Sequence, residues 1–275
     1  MTPINRKVIL MSTSTGTMPA LYLPHGGGPA FFMTGPMAEM FAPMGTFLQG
    51  IEDVLPARPT AIVVVTAHWE TEHVAVTGGE RPPLIFDYYG FPEETYALTY
   101  PAPGSPTLAN EIVALLHGEQ IEASVNPTIG WDHGVFIPLK MMFPEATIPV
   151  VSVSLTADLD PARHALVGRA LRPLRDQGVL IIGSGMSYHN LAMLDGAVPS
   201  AEFHRWLDTA LAGDLDAREQ HLNGWAGAPS GRVSHPREEH LMPLMVVSAA
   251  GSDAPAQKIW NGHMGPTQVD AWAFH

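Results

Sequence analysis

The sequence predicts an α/β fold: one layered α/β/α domain on a mostly parallel mixed sheet, with a candidate metal site at the strand C-terminal ends. Three observations carry that expectation. Short β-branched apolar runs alternate with helix-like segments along 275 residues, without an internal repeat. Several of those runs stop at turns rich in Gly and His. A composition of 46% hydrophobic and 15% charged residues is that of a chain burying one large core.

Taken in order, residues 1–18 carry Arg6 and Lys7 before the apolar stretch Val8 to Met11. That stretch is too short for the apolar region of a secretory signal, so 1–18 reads as a flexible leader and 19–275 as the folded domain. Residues 20–23 form a brief buried strand that ends at Pro24-His25-Gly26-Gly27-Gly28-Pro29. Residues 61–66 are apolar and β-branched on both faces, as in a central strand covered on both sides, and lead into Ala67-His68-Trp69. Residues 149–155 and 179–182 read as two more strands, the last running into Gly183-Ser184-Gly185. Ser105 caps a helix with Pro106 at its first position; Leu108, Ile112, Leu115 and Leu116 form its inner face, and Gly118 stops it. Asp160-Pro161 opens a second helix in the same way, with Gly178 at its end. Ser200 opens a third, with Phe203, Trp206, Leu207, Ala210 and Leu211 inward. A last apolar helix covers about 238–250, where Pro243 either kinks it or moves its start.

Composition excludes several chemistries. With no Cys there is no disulfide framework, iron–sulfur cluster, cysteine zinc site or thiol nucleophile. A net charge of −13 without a basic stretch argues against a nucleic-acid partner. No run reaches the about 18 apolar residues of a membrane span, so no membrane partner is expected and the cytoplasm is the default compartment. What stays open is a site made of histidine and carboxylate.

The 13 histidines are not spread evenly in meaning. His25 follows the first strand, His68 the second, and His189 lies in the loop after the fourth. Ligands of open α/β sheets bind beyond the strand C-termini, so these three share an edge. Trp131-Asp132-His133-Gly134 and Glu238-Glu239-His240 are two further compact polar clusters. Neutral imidazoles with a carboxylate nearby suit a borderline divalent metal. A lone histidine is more often structural, and His73, His117, His164, His204, His221, His235, His263 and His275 are read that way. His25-Gly26-Gly27-Gly28 looks like a hydrolase oxyanion loop, but Ile182 stands where a G-x-S-x-G elbow around Ser184 needs Gly. No phosphate-cradling glycine motif occurs.

Six motifs then occur in a telling order: Pro24 to Pro29, Thr66-Ala67-His68-Trp69-Glu70, Asp87 to Pro92 with Tyr100 to Pro106, Asp132-His133-Gly134, Gly183 to Leu191, and Glu239 to Leu244. In this the chain resembles the DOPA 4,5-dioxygenase type of extradiol ring-opening dioxygenases, related to the catalytic subunit of protocatechuate 4,5-dioxygenase. The resemblance covers about 21–247. It implies that 19–275 is an extradiol dioxygenase catalytic domain holding a mononuclear non-haem Fe(II), with Zn(II) possible in the same site. It makes His25, His68 and His240 the metal ligands, His189 the acid/base residue and His133 a second catalytic pocket residue. Glu239 is the fallback ligand if the site follows the 2-His-1-carboxylate pattern. The implied partners are a catechol, foremost L-DOPA opened at the 4,5 bond towards betalamic acid, and O2; the chain is expected to be a monomer or homodimer. Trp69, Phe91 and Phe136 are candidate ring neighbours, with core packing expected for at least two. Arg163, Arg232 and Arg237 are available cations, none of them assigned to a substrate carboxylate. The alternatives are a zinc hydrolase using metal-bound water and a non-catalytic metal-binding scaffold.

Overall fold

The computed structural model describes residues 16–275. Its strands are β1 (Ala20–Pro24), β2 (Ala61–Thr71), β3 (Val74–Thr77), β4 (Ala123–Asn126), β5 (Val150–Thr156), β6 (Val179–Gly185), β7 (Gln257–Met264) and β8 (Thr267–Phe274). They form one sheet in the order β4-β3-β5-β2-β6-β1-β8-β7. The middle four, β5-β2-β6-β1, are parallel. β3 and β8 join them antiparallel, and β7 closes the edge as a hairpin partner of β8. The sheet is therefore mixed with a parallel centre, as expected.

Helices cover both faces. They are α1 (Pro36–Gln49), α2 (Pro106–Gly118), α3 (His133–Met142), α4 (Pro161–Leu171), α5 (Ala197–Leu211), α6 (Leu215–Asn223), α7 (Gly231–Ser234) and α8 (Met242–Ala250). Strand alternation sends side chains to opposite layers. Val63, Val65 and Ile181 pack with α2, α4, α5 and α8, whereas Ile62, Val64, Leu180 and Ile182 pack with α1 and α3. This accounts for the apolar residues on both faces of the central strands, since β1, β5 and β6 are buried along their whole length.

Proline decides several boundaries. α4 gives way to 3-10 turns over Arg172–Gln177, where Pro173 lacks the N–H that would continue the ladder, and Gly178 ends them with φ 80°. α8 begins at Met242 with Pro243 in its first turn, so the proline moves the start and leaves Glu238 to Leu241 as the approach. α5 starts at Ala197, ahead of Ser200, whose hydroxyl donates to the Ala197 carbonyl. α1 and α3 enclose Pro43 and Pro138, and β3 and β4 have four residues each, so none announces itself in the sequence.

Of the expected leader, residues 1–15 lie outside the described residues. Met18 is already buried, and its backbone pairs with Arg175 in both directions. Among the described residues no helix is long and apolar enough to cross a membrane.

Candidate metal centre

Strand register sets the site. Pro24 lies opposite Gly185, and Thr66 opposite Ser184, so β1, β6 and β2 end side by side. His25 follows β1 directly. β2 runs on through His68 to Thr71 instead of stopping at Thr66, and its pairing with β5 shifts register between Val65 and Glu70. Such an irregularity re-aims a side chain, here that of His68.

Three imidazoles converge. The Nε2 atoms of His25 and His68 are 3.2 Å apart. His240, in the approach to α8, joins them, and one ring nitrogen from each of the three lies within 4.8 Å of the others. Close backbone contact fixes His240: its carbonyl accepts from the Tyr22 hydroxyl at 2.7 Å and from Met186 N at 3.2 Å. A Cβ on Gly185 would run into that same carbonyl oxygen, so the approach needs glycine there. Gly134 is a second such place, because its Cβ would lie 2.7 Å from Thr66 Oγ1 and 2.9 Å from His68 Cδ2.

The bonds on the far side of each ring assign the tautomers. The Ser184 hydroxyl donates to the Gly134 carbonyl, so its oxygen accepts from His25 Nδ1 at 3.1 Å. His68 Nδ1 is 3.5 Å from Asp87 Oδ2, and His240 Nδ1 donates to Glu239 Oε1 at 3.0 Å. For His25 and His240 the proton therefore sits on Nδ1, leaving Nε2 as an acceptor, and His68 turns its Nδ1 towards the Asp87 carboxylate and its Nε2 towards that of His25. Burial pushes His25 and His68 well below the ordinary histidine range, and it pushes His240 down to about 4 against the Glu239 bond. Three neutral imidazoles with their nitrogens this close could hold a divalent cation, and each ring already has a polar partner behind it.

His133 and His189 flank this trio. His133 opens α3; its Nδ1 and its backbone N both donate to Asp87 Oδ1 at 2.9 Å, and its ring centre is 4.0 Å from that of His68. His189 stacks on His240 with ring centres 3.4 Å apart, and its Nδ1 is 3.3 Å from Glu239 Oε1. Thus all five histidines singled out in the sequence meet in one place. Burial alone would raise the carboxyl of Glu239, but the bonds from His189 and His240 hold it well below its usual value. Asp87 is likewise lowered: burial is the largest single influence and raises it, but the side-chain bond, charge and backbone bond of His133 together with a local backbone bond outweigh that. Glu239 accepts from two rings, and His189, Glu239 and His240 form a further cluster able to hold an ion, separate from the His25–His68–His240 trio.

Sequence reading gave no role to Asp87 or Ser184. Asp87 stands 46 residues from His133 in an aperiodic segment, and only the Asp87 to Pro92 motif marked it. Of the aromatic candidates, Phe91 lines the cavity over the histidines, whereas Phe136 is fully buried in the core and Trp69 is not part of the wall. His164, His204 and His235 are buried structural histidines bonded to backbone or serine. Arg237 is bound bidentately by Glu70 at 2.6 Å, Arg232 by Glu238 at 2.7 Å and Arg163 by Asp158 at 2.8 Å.

Comparison with known proteins agrees with this arrangement. Residues 19–272 match the family model described as the catalytic LigB subunit of aromatic ring-opening dioxygenase. A dioxygenase, tasH, of Hapsidospora irregularis is 39% identical over 264 residues, covering 88% of this chain and 81% of the relative. A 4,5-DOPA dioxygenase extradiol of Portulaca grandiflora is 39% identical over 242 residues, covering 85% and 86%, and one of Escherichia coli K12 is 34% identical over 256 residues, covering 91% and 90%. A crystal structure of an uncharacterized Escherichia coli K12 protein superposes with a TM-score of 0.75 at 30% identity, covering 94% of this chain and all of that one.

Proposed function

Because the chain belongs to the LigB family of aromatic ring-opening dioxygenases and is an extradiol ring-cleaving enzyme, we propose that it opens catechols with O2 at an Fe(II) held by His25, His68 and His240. The observation that carries this is the convergence of three imidazoles, each with its Nδ1 facing a polar partner behind it. Bound there, Fe(II) would supply the charge that acidifies the catechol hydroxyls and the redox partner that O2 needs; Zn(II) fits the same nitrogens but is redox-inert.

The chain's own residues do the rest. His189 serves as acid/base: Glu239 occupies its Nδ1, so the nitrogen left for a substrate proton is Nε2. His133 is held the same way by Asp87 and supplies a second such nitrogen. The Phe91 wall and the methionines around the cavity exclude water from the ring. Both oxygen atoms enter the product, so no external reductant is required. L-DOPA, opened at the 4,5 bond, is the substrate that the relatives' names bring to this site, and it is included among the catechols proposed.

The test is anaerobic loading with Fe(II), then addition of a catechol panel with air while oxygen uptake and product absorbance are followed. One O2 consumed per catechol opened is expected. Absence of uptake with every catechol overturns the reading, and turnover without oxygen consumption would point to a metal-bound water instead.

A further inference from the structure

We infer that the preferred substrate is a catechol bearing an uncharged, apolar substituent, and that a carboxylate or zwitterionic side chain on the ring is selected against. The inference rests on the ring-opening reading above and concerns what the walls of that same site accept. The cavity over the five histidines has a volume of about 540 Å³, more than one catechol ring fills. Away from the histidines its walls are mainly apolar, with Met37, Met40 and Phe41 of α1, Phe91, and Leu191 and Leu194 of the loop after β6; the polar Tyr188 and Asn190 also line it, but the Tyr188 hydroxyl and the Asn190 amide already donate to the Met193 and Val233 carbonyls. Among the described residues no Lys, Arg, Asp or Glu lines it.

The arginine tied into the site's own network gives no free charge. Arg237 holds Glu70 through two bonds of 2.6 Å and lies 3.4 Å from Glu239 Oε2, so two carboxylates already neutralise it. A carboxylate placed against Met and Leu walls loses its hydration and gains no partner, a penalty that an alkyl group does not meet. The apolar lining also continues outward: Leu191, Leu194 and Met40 are 69%, 50% and 43% exposed at the mouth. A substituent reaching past the ring would cover that rim, and only an apolar one gains by doing so.

The test compares 4-butylcatechol, L-DOPA and 3,4-dihydroxyphenylacetate. Binding to the Zn(II)-loaded full chain is read by calorimetry, and kcat/KM on the Fe(II)-loaded chain by oxygen uptake. We expect 4-butylcatechol to exceed both charged catechols by about 10-fold or more in each measurement. Equal or tighter binding of L-DOPA or 3,4-dihydroxyphenylacetate overturns the inference. Graded binding with no oxygen uptake from any catechol would remove the ring-opening reading, while the binding order would still decide this one. Leu191→Arg, at an exposed position, should move the 3,4-dihydroxyphenylacetate to 4-butylcatechol binding ratio about 10-fold towards the anion, whereas Leu191→Gln should not. An unchanged ratio in Leu191→Arg overturns the assignment of that wall to the substituent.

Discussion

Asp87 and Glu239 each hold two imidazoles: Oδ1 and Oδ2 of Asp87 are divided between His133 and His68, and Oε1 of Glu239 is shared by His189 and His240. Each carboxylate thus couples one proposed ligand to one proposed acid/base residue. Asp87→Ala should lower metal affinity or activity by about 10–100-fold while the fold is kept, as read by chelator competition and circular dichroism. His189→Ala should retain metal but lose about 10²–10⁴-fold in turnover, and retained turnover would end its acid/base role. His25→Ala and His68→Ala, by contrast, should abolish metal binding in the same competition assay. At this scale the histidines were legible because strand ends and short motifs mark them. Asp87 and Ser184 were not, since outer partners are defined by three-dimensional approach and neither carries a local pattern. Ser184, which lacks the glycine elbow of a nucleophile, fixes the tautomer of His25.

β6 and the approach to α8 show how an element serves the site. Gly185 lets the His240 carbonyl lie directly on the strand, and Gly183 does the same for that of Pro243 at 2.5 Å from where a Cβ would be. Gly185→Ala should cost about 1–3 kcal/mol in urea unfolding, because backbone must move. The displacement should also weaken metal binding, which separates this variant from an ordinary core defect. The parallel centre of the sheet is readable because both-face burial leaves apolar runs rich in Val and Ile, unbroken over 61–65 of β2 and 179–182 of β6 and interrupted by serines in β5. The β7–β8 hairpin was not foreseen: β7 is half exposed and turns at Gly265, φ 58°, without a strong apolar alternation. α3 is not legible in the sequence because its residues are buried nearly all round and it encloses Pro138, so no amphipathic stripe appears.

Across the whole molecule, buried neutral histidines make stability depend on pH. Burial lowers His164 and His204 from their ordinary value and pushes His235 down to about 3. In the unfolded chain these rings take up protons below about pH 6.5, so there the unfolded state binds more protons than the folded one. Stability is full above that pH and falls as the pH drops towards the lowered values, by up to about 1.4 kcal/mol per group per pH unit. Urea midpoints at pH 7.5 and 5.5 should show the loss. His235→Phe, placed among Phe203 and Trp225, should flatten the slope.

The meeting of His25 with His240 has a further consequence for how the chain is held. An ion shared by those two rings and His68, as proposed, would be a cross-link between the end of the first strand and the approach to the last helix, closing a loop through most of the domain. No part of the chain that lacks either end possesses the three nitrogens, so binding energy is available to the complete native state alone. It adds to stability in proportion to the logarithm of free metal over its dissociation constant. Chelation should therefore lower the melting temperature in a metal-concentration-dependent way, and a His240→Ala protein should melt at one temperature whether metal is present or not. The ion at this point would be a clasp as much as a reagent.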